Sequence, residues 1–212
     1  HAAKVMLEFM GLICRETGAV LPELNLGGGF GIQYIQENDP VPYHRYMEKV
    51  SKVVKETCEK LGFPTPFILI EPGRSIVGAA GLTLYRVGAV KTIPGVRTYV
   101  SVDGGMTDNP RYALYQADYT FMAAAKAGEP KTQAVTVAGR CCESGDLLGE
   151  NVPLQEVEPG DLLAVLSTGA YNYSMASNYN RVPRPPVVLV GEKGLRLIVR
   201  RETPEDLIRC DL

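Results

Sequence analysis

The chain has 212 residues, 45% of them hydrophobic and 22% charged, an ordinary globular composition long enough to bury one or two cores. Its 22 Lys and Arg against 24 Asp and Glu leave a formal net charge of -2 with the basic residues scattered, which argues against nucleic acid or a membrane surface and for a small-molecule ligand. The five cysteines, Cys14, Cys58, Cys141, Cys142 and Cys210, have neither C-x-x-C spacing nor a histidine cluster beside them, so they suggest no metal site and no disulfide framework, and they fit a reducing cytoplasm.

Apolar residues Val5, Met6, Phe9, Met10 and Ile13 recur at helical spacing over residues 2–16, with Gly18 placed to end the helix. The opening residues, His1-Ala2-Ala3-Lys4, show no initiator Met and no secretory pattern, and read as the middle of a longer protein. A short strand over residues 24–26 runs straight into Gly27, Gly28 and Gly29. Residues 42–61 repeat the helical pattern through Tyr46, Val50, Val53, Val54, Thr57 and Leu61, closed by Gly62 and Pro64. Residues 67–70 are a continuous apolar run of the kind expected of a parallel strand buried on both faces. This order of helix, strand, helix, strand predicts the last units of an α/β barrel over residues 1–77. No unbroken apolar run approaches the roughly 20 residues that cross a bilayer.

Beyond residue 77 the texture changes to short β-rich runs at 82–90, 98–102, 133–138, 162–166, 187–190 and 195–199, separated by turns such as Pro94-Gly95 and Pro159-Gly160. An antiparallel barrel or sandwich of Greek-key type is predicted for residues 78–212, with a terminal helix capped at Thr203 and the final residues packing back on the barrel.

Five segments carry groups suited to chemistry. Three glycines after a strand let backbone N–H groups approach a phosphate closely; the alternative is a flexible turn. Glu71-Pro72-Gly73-Arg74 lies at a strand's carboxyl end, where barrel active sites gather, and offers a carboxylate for a cationic ring nitrogen and a guanidinium for an anion. Residues 141–146 place thiols beside a carboxylate in a polar loop, although free cysteines are more often small buried hydrophobes. Residues 108–115 and 169–175 mix tyrosines with hydrogen-bonding groups, as packing surfaces also do.

Taken in order, residues 26–31, 71–78, 103–115, 142–148 and 169–171 resemble the diaminopimelate decarboxylases, and the match spans nearly the whole chain. The resemblance implies a fold of alanine-racemase type, in which a (β/α)8 barrel binds pyridoxal 5'-phosphate and a β-rich domain follows, assembled as a head-to-tail homodimer with shared sites. It implies that Gly27, Gly28, Gly29, Glu71, Pro72, Gly73, Arg74 and Tyr171 hold the cofactor, with Glu71 facing the pyridine nitrogen. It implies further that Arg74, Arg111 and Tyr115 grip the distal carboxylate of meso-diaminopimelate and Glu143 its distal amine. Cys142 would be the proton donor, reached from the partner subunit, with Cys141 a packing neighbour.

The family's cofactor lysine precedes the region seen here, so the chain is expected to be the inactive carboxyl-terminal half of a cytoplasmic enzyme of lysine biosynthesis. Lys126 stands among alanines in the β-rich region and is a poor match for that lysine. Other readings are a related basic amino-acid decarboxylase, a non-catalytic regulatory homologue, and a truncation product with an exposed half-barrel.

Overall fold

The computed structural model describes all 212 residues, His1–Leu212. It resolves into two compact units, one of His1–Gln33 with Asn38–Ile76 and the other of Tyr34–Glu37 with Val77–Leu212.

The first unit holds helix α1 (Ala2–Thr17), strand β1 (Glu23–Asn25), helix α2 (Tyr43–Leu61) and strand β2 (Phe67–Leu69), with the short helix α3 (Arg74–Val77) beginning at its end. Both long helices stop at a glycine in the left-handed region, Gly18 at φ 74° and Gly62 at φ 72°, and the N–H of each returns to a carbonyl of the last turn. Strands β1 and β2 pair in parallel, Leu24 opposite Ile68. The core is Leu7, Met10, Leu24, Val54, Cys58 and Phe63, so the two helices pack on each other and on β1.

The structure settles the covered face of α1, and one sequence expectation fails. The buried stripe of α1 is Ala3, Leu7, Met10 and Gly11, while Val5, Met6 and Phe9 are exposed. Strand β2 is not buried on both faces, for Phe67 is 77% and Leu69 39% exposed. Apolar spacing marks a helix or strand but not which of its faces finds a neighbour, and in this chain β2 has one strand beside it.

The second unit is built on a six-stranded sheet of order β5-β8-β3-β4-β6-β7, from β3 (Leu82–Ile93), β4 (Arg97–Val102), β5 (Phe121–Ala123), β6 (Gln133–Ala138), β7 (Leu147–Leu154) and β8 (Leu162–Leu166). Strand β3 is long enough to serve two neighbours: residues 82–86 pair with β8 and residues 87–93 with β4. The two edges curl towards each other, since a Cβ on Gly149 of β7 would lie 3.3 Å from the ring of Phe121 in β5, and the sheet is nearly closed into a barrel. Its interior is Tyr85, Val87, Val100, Phe121, Val135, Val137, Leu148, Leu154, Leu163 and Val165.

The expected all-antiparallel pattern is corrected at one pair, because β4 and β6 run parallel. Strands β5 and β7 were not legible as strands. The first has three residues, and the second is broken up by Gly149, by Asn151 at φ 52° and by Pro153, features that an edge strand tolerates and a central one does not.

Helix α4 (Arg111–Tyr115) sits between β4 and β5. A separate hairpin of β9 (Val187–Gly191) and β10 (Gly194–Val199) and the helix α5 (Pro204–Ile208) complete the chain. Helix α5 starts as expected at Thr203, whose N–H donates to Asp206 Oδ2 at 2.8 Å, while Arg200 grips the same carboxylate with both terminal nitrogens at 2.5 and 2.7 Å.

Leu163 is fully buried on the central strand β8. Truncation to Ala is expected to destabilise the β-rich unit by about 2–5 kcal/mol through lost transfer energy and a residual cavity. Denaturant unfolding should show the loss as a lower midpoint at unchanged slope.

Candidate active site

In the first unit the glycine loop and the loop after β2 lie side by side at the carboxyl ends of the two strands. The ladder continues past the strands: Leu26 N–H donates to Leu69 O at 2.9 Å, and Glu71 N–H to Gly27 O at 2.8 Å. Gly27 and Gly29 stand at φ 71° and 86°, where a side chain is strained, and a Cβ on Gly28 would lie 2.4 Å from the carbonyl oxygen of Glu71. Glycine is therefore needed at each of the three positions, two for conformation and one for close approach. The loop presents backbone with no side chain over it, a surface that suits a phosphate.

Asn25, which sequence reasoning passed over, joins the two loops. Its Oδ1 accepts from Gly27 N–H at 2.7 Å and its Nδ2 donates to Glu71 Oε1 at 2.5 Å, so it fixes both the entry to the glycine loop and the direction of the Glu71 carboxylate. A lone Asn ending an apolar strand before glycine was the available signal. Pro72 and Arg74 are half-buried, Gly73 is exposed, and Gly73 O accepts from Ile76 N–H at 3.1 Å as α3 begins.

In the second unit the polar groups gather around the turn after β4 and around residues 168–172. Arg111 is buried at 7% exposure, and its guanidinium lies over the rings of Tyr34 (5.4 Å), Tyr115 (5.9 Å) and Tyr171 (5.9 Å). One terminal nitrogen reaches the Tyr34 hydroxyl at 3.4 Å, Nε has no hydrogen-bond partner, and no carboxylate pairs with the cation. Tyr34 is held for this task by an edge-to-face contact with Tyr119 and by the Thr120 hydroxyl, which donates to its carbonyl at 2.8 Å. Tyr171 adopts φ 62°, a conformation that costs of order 1–3 kcal/mol for a bulky residue and tends to persist at functional sites. Beneath it Asn172 and Asn109 are buried; with its amide oriented to donate to Ala170 O (2.9 Å), Asn172 accepts from Asn109 Nδ2 at 3.3 Å.

The turn itself is organised by Asp108. Its carboxylate accepts from Gly105 N–H at 2.9 Å and from the buried hydroxyl of Tyr85. Burial pushes the Asp108 carboxyl above its ordinary range, against the pull of these donors, and burial likewise raises the Tyr85 phenol.

Cys142 is exposed, with Sγ 3.9 Å from Glu143 Oε1, and the same Glu143 oxygen accepts from the Tyr179 hydroxyl. Cys141 is half-buried; burial and the neighbouring Asp146 raise its thiol. The structure thus brings Arg111, Tyr115 and Tyr171 together in one cluster and Cys142 and Glu143 in another. Lys126 is in neither, being paired with Asp161 at 3.0 Å.

The Glu143 contact holds the proton on Tyr179 and pushes its phenol from 10.0 up to about 12. A raised value means that the contact's contribution is whole below the ordinary value and is lost as pH climbs through about 12. Titration of phenolate absorbance, with a Tyr179→Phe variant to identify the group, should find it there. In Glu143→Gln it should return towards the ordinary tyrosine range.

Comparison with known proteins places these features in a family context. The model for "Pyridoxal-dependent decarboxylase, pyridoxal binding domain" matches residues 1–78, and that for "Pyridoxal-dependent decarboxylase, C-terminal sheet domain" matches residues 67–169. The chain is 57% identical to the diaminopimelate decarboxylase of Bacillus subtilis over 189 residues, 89% of this chain and 43% of that protein. It is 52% identical to that of Halalkalibacterium halodurans over the same shares of each. Among solved structures, diaminopimelate decarboxylase from M. jannaschii in complex with L-lysine matches 100% of this chain and 47% of its own, at 35% identity and a TM-score of 0.89. The chain spans less than half the length of these relatives.

Proposed function

Because the chain belongs to the pyridoxal-dependent decarboxylases, we propose that the whole protein of which it forms part converts meso-diaminopimelate to L-lysine and carbon dioxide, the last step of lysine biosynthesis. The observation that carries the reading is the Arg111 cage. Burying a cation with no counter-ion costs several kcal/mol, and a site that keeps one suits a ligand that brings its own carboxylate. A diamino diacid has such a group at the end remote from the reaction, and its product, lysine, retains that end whole, amine and carboxylate alike, having lost only the reacted carboxylate.

Pyridoxal 5'-phosphate, the cofactor of this family, supplies the electron sink for the pair left when carbon dioxide departs. Gly27, Gly28, Gly29, Glu71, Pro72, Gly73, Arg74 and Tyr171 would hold it, and the fit rests on the bare backbone of the glycine loop and on Asn25 steering Glu71. Glu71 would face the ring nitrogen and pair with it. Arg111, Arg74 and Tyr115 bind the distal carboxylate. Glu143 takes the distal amine, so a substrate lacking either end leaves a charged group unpaired. Cys142 delivers its thiol proton to the carbon that lost the carboxylate. The two units are read as the end of the cofactor barrel and the sheet domain, and the active enzyme as a homodimer in which Cys142 and Glu143 of one subunit serve the site of the other. Cytoplasmic location fits the free cysteines; no helix of the chain is long and apolar enough to cross a membrane. The 212 residues alone are expected to be inactive.

The deciding assay is carbon dioxide release by the full-length protein with pyridoxal phosphate from meso-diaminopimelate, ornithine and arginine. Release from diaminopimelate alone, abolished or reduced at least a hundredfold in Cys142→Ala, is the expected result; turnover of ornithine instead would reassign the substrate, and no turnover of any of them would favour a regulatory homologue. Arg111→Met should remove about 2–5 kcal/mol of substrate binding, seen as a rise of roughly 30-fold or more in KM.

A further inference from the structure

Asp146 closes the loop that carries Cys142 and Glu143, and the proposed reaction gives it no part. The residue is 2% exposed and forms no ion pair. Its carboxylate is instead split between two loops: Oδ1 accepts from Met106 N–H at 2.6 Å, and Oδ2 from Cys141 N–H at 2.7 Å. Glycine makes room for it on both sides, since a Cβ on Gly105 would lie 2.4 Å from Oδ1 and one on Gly139 2.2 Å from either oxygen. The backbone repeats the connection: Gly139 N–H donates to Asp146 O at 2.8 Å, Asp146 N–H to Glu143 O at 3.0 Å, and Arg140 N–H to Gly104 O at 3.0 Å.

One side chain therefore fastens the turn that leads through Asp108 to Arg111 onto the loop that presents Cys142. The geometry points to Asp146 as a positioning residue of the reaction. It orients the Cys141 peptide and hence the neighbouring Cys142 thiol and Glu143 carboxylate, in register with the turn that carries Arg111. This deepens the proposed function and rests on Cys142 as proton donor. An acceptor on each of two oxygens is what the arrangement requires; Asn would keep one and turn an N–H₂ towards the other donor.

The test uses the full-length holoenzyme and a double-mutant cycle in kcat for meso-diaminopimelate with Asp146→Asn, Cys142→Ala and both together. Asp146→Asn is expected to lower kcat at least tenfold with the cofactor's absorbance spectrum unchanged, and the double variant to fall no further than Cys142→Ala alone. Losses that multiply would mean that Asp146 does not act through the thiol and would overturn the assignment, as would a wild-type kcat in Asp146→Asn. Should Asp146→Asn fail to fold, Gly139→Ala, which crowds the carboxylate but leaves its charge, must show the same non-additivity, and independent losses there overturn the proposal.

An unchanged kcat in Cys142→Ala would instead sink the proton-donor role while leaving the geometry open to a direct reading. The alkylation rate of Cys142 by iodoacetamide, followed on its peptide by mass spectrometry, is expected to change at least threefold in Asp146→Asn. An unchanged rate counts against positioning whatever the reaction.

Discussion

A carboxylate buried without a cation is the constraint on which the loop end of the β-rich unit depends. Removing a charge from water costs several kcal/mol after all relaxation, so Asp146 is tolerable inside the fold only while both oxygens are hydrogen-bonded. Charge-assisted bonds worth roughly 1.5–3 kcal/mol each come from the N–H groups of Met106 and Cys141. Neither donor can move without leaving one oxygen of a buried carboxylate unsatisfied. Two loops from opposite ends of the sequence segment 103–146 are locked by one group, and glycine at 105 and 139 is the steric condition for it.

Asp108 applies the same logic one turn away, with Gly105 N–H and the Tyr85 hydroxyl as its donors. The two carboxylates are close enough for Asp146 to help raise the Asp108 carboxyl, after burial itself. The sheet supplies the rigid frame: Tyr85 comes from β3, and the loops spring from the ends of β4 and β6, which lie next to each other in parallel. Arg111 then stands in the opposite electrostatic situation, a buried cation surrounded by tyrosine faces whose ring quadrupoles moderate but do not replace a counter-ion. Two anions held by backbone N–H groups and the Tyr85 hydroxyl, and a cation without a counter-ion, lie within a single unit.

The first unit uses backbone in another way. Parallel pairing of β1 with β2 brings the Gly27 to Gly29 loop against Glu71, and the Asn25 amide spans the gap with one donor and one acceptor. The close approach of Gly28 to the Glu71 carbonyl excludes any other residue there, and the two positive-φ glycines hold the loop open. A loop of this kind needs no dedicated cation to meet an anion, because the donors are peptide groups fixed by their neighbours.

The sequence alone was sufficient for the helices α1 and α2 with their glycine ends, for parallel β1 and β2, for the change to short strands after residue 77, and for the candidates Gly27 to Gly29, Glu71, Arg111, Cys142 and Tyr171. The elements are local signals, a period or a turn residue, whereas the site candidates rest on the resemblance of whole segments to a family. What it could not supply was partnership. It did not show which side of α1 is covered, that β2 has one neighbour, that β4 and β6 run parallel, or that β5 and the irregular edge strand β7 exist. Nor did it single out Asn25 and Asp146, which look like ordinary polar residues and gain their place only through an acceptor 46 positions distant for Asn25 and a donor 40 positions distant for Asp146. Tertiary structure decided those points because burial and hydrogen bonding depend on which distant groups meet in space, and the spacing of residues along one segment carries no information about that meeting.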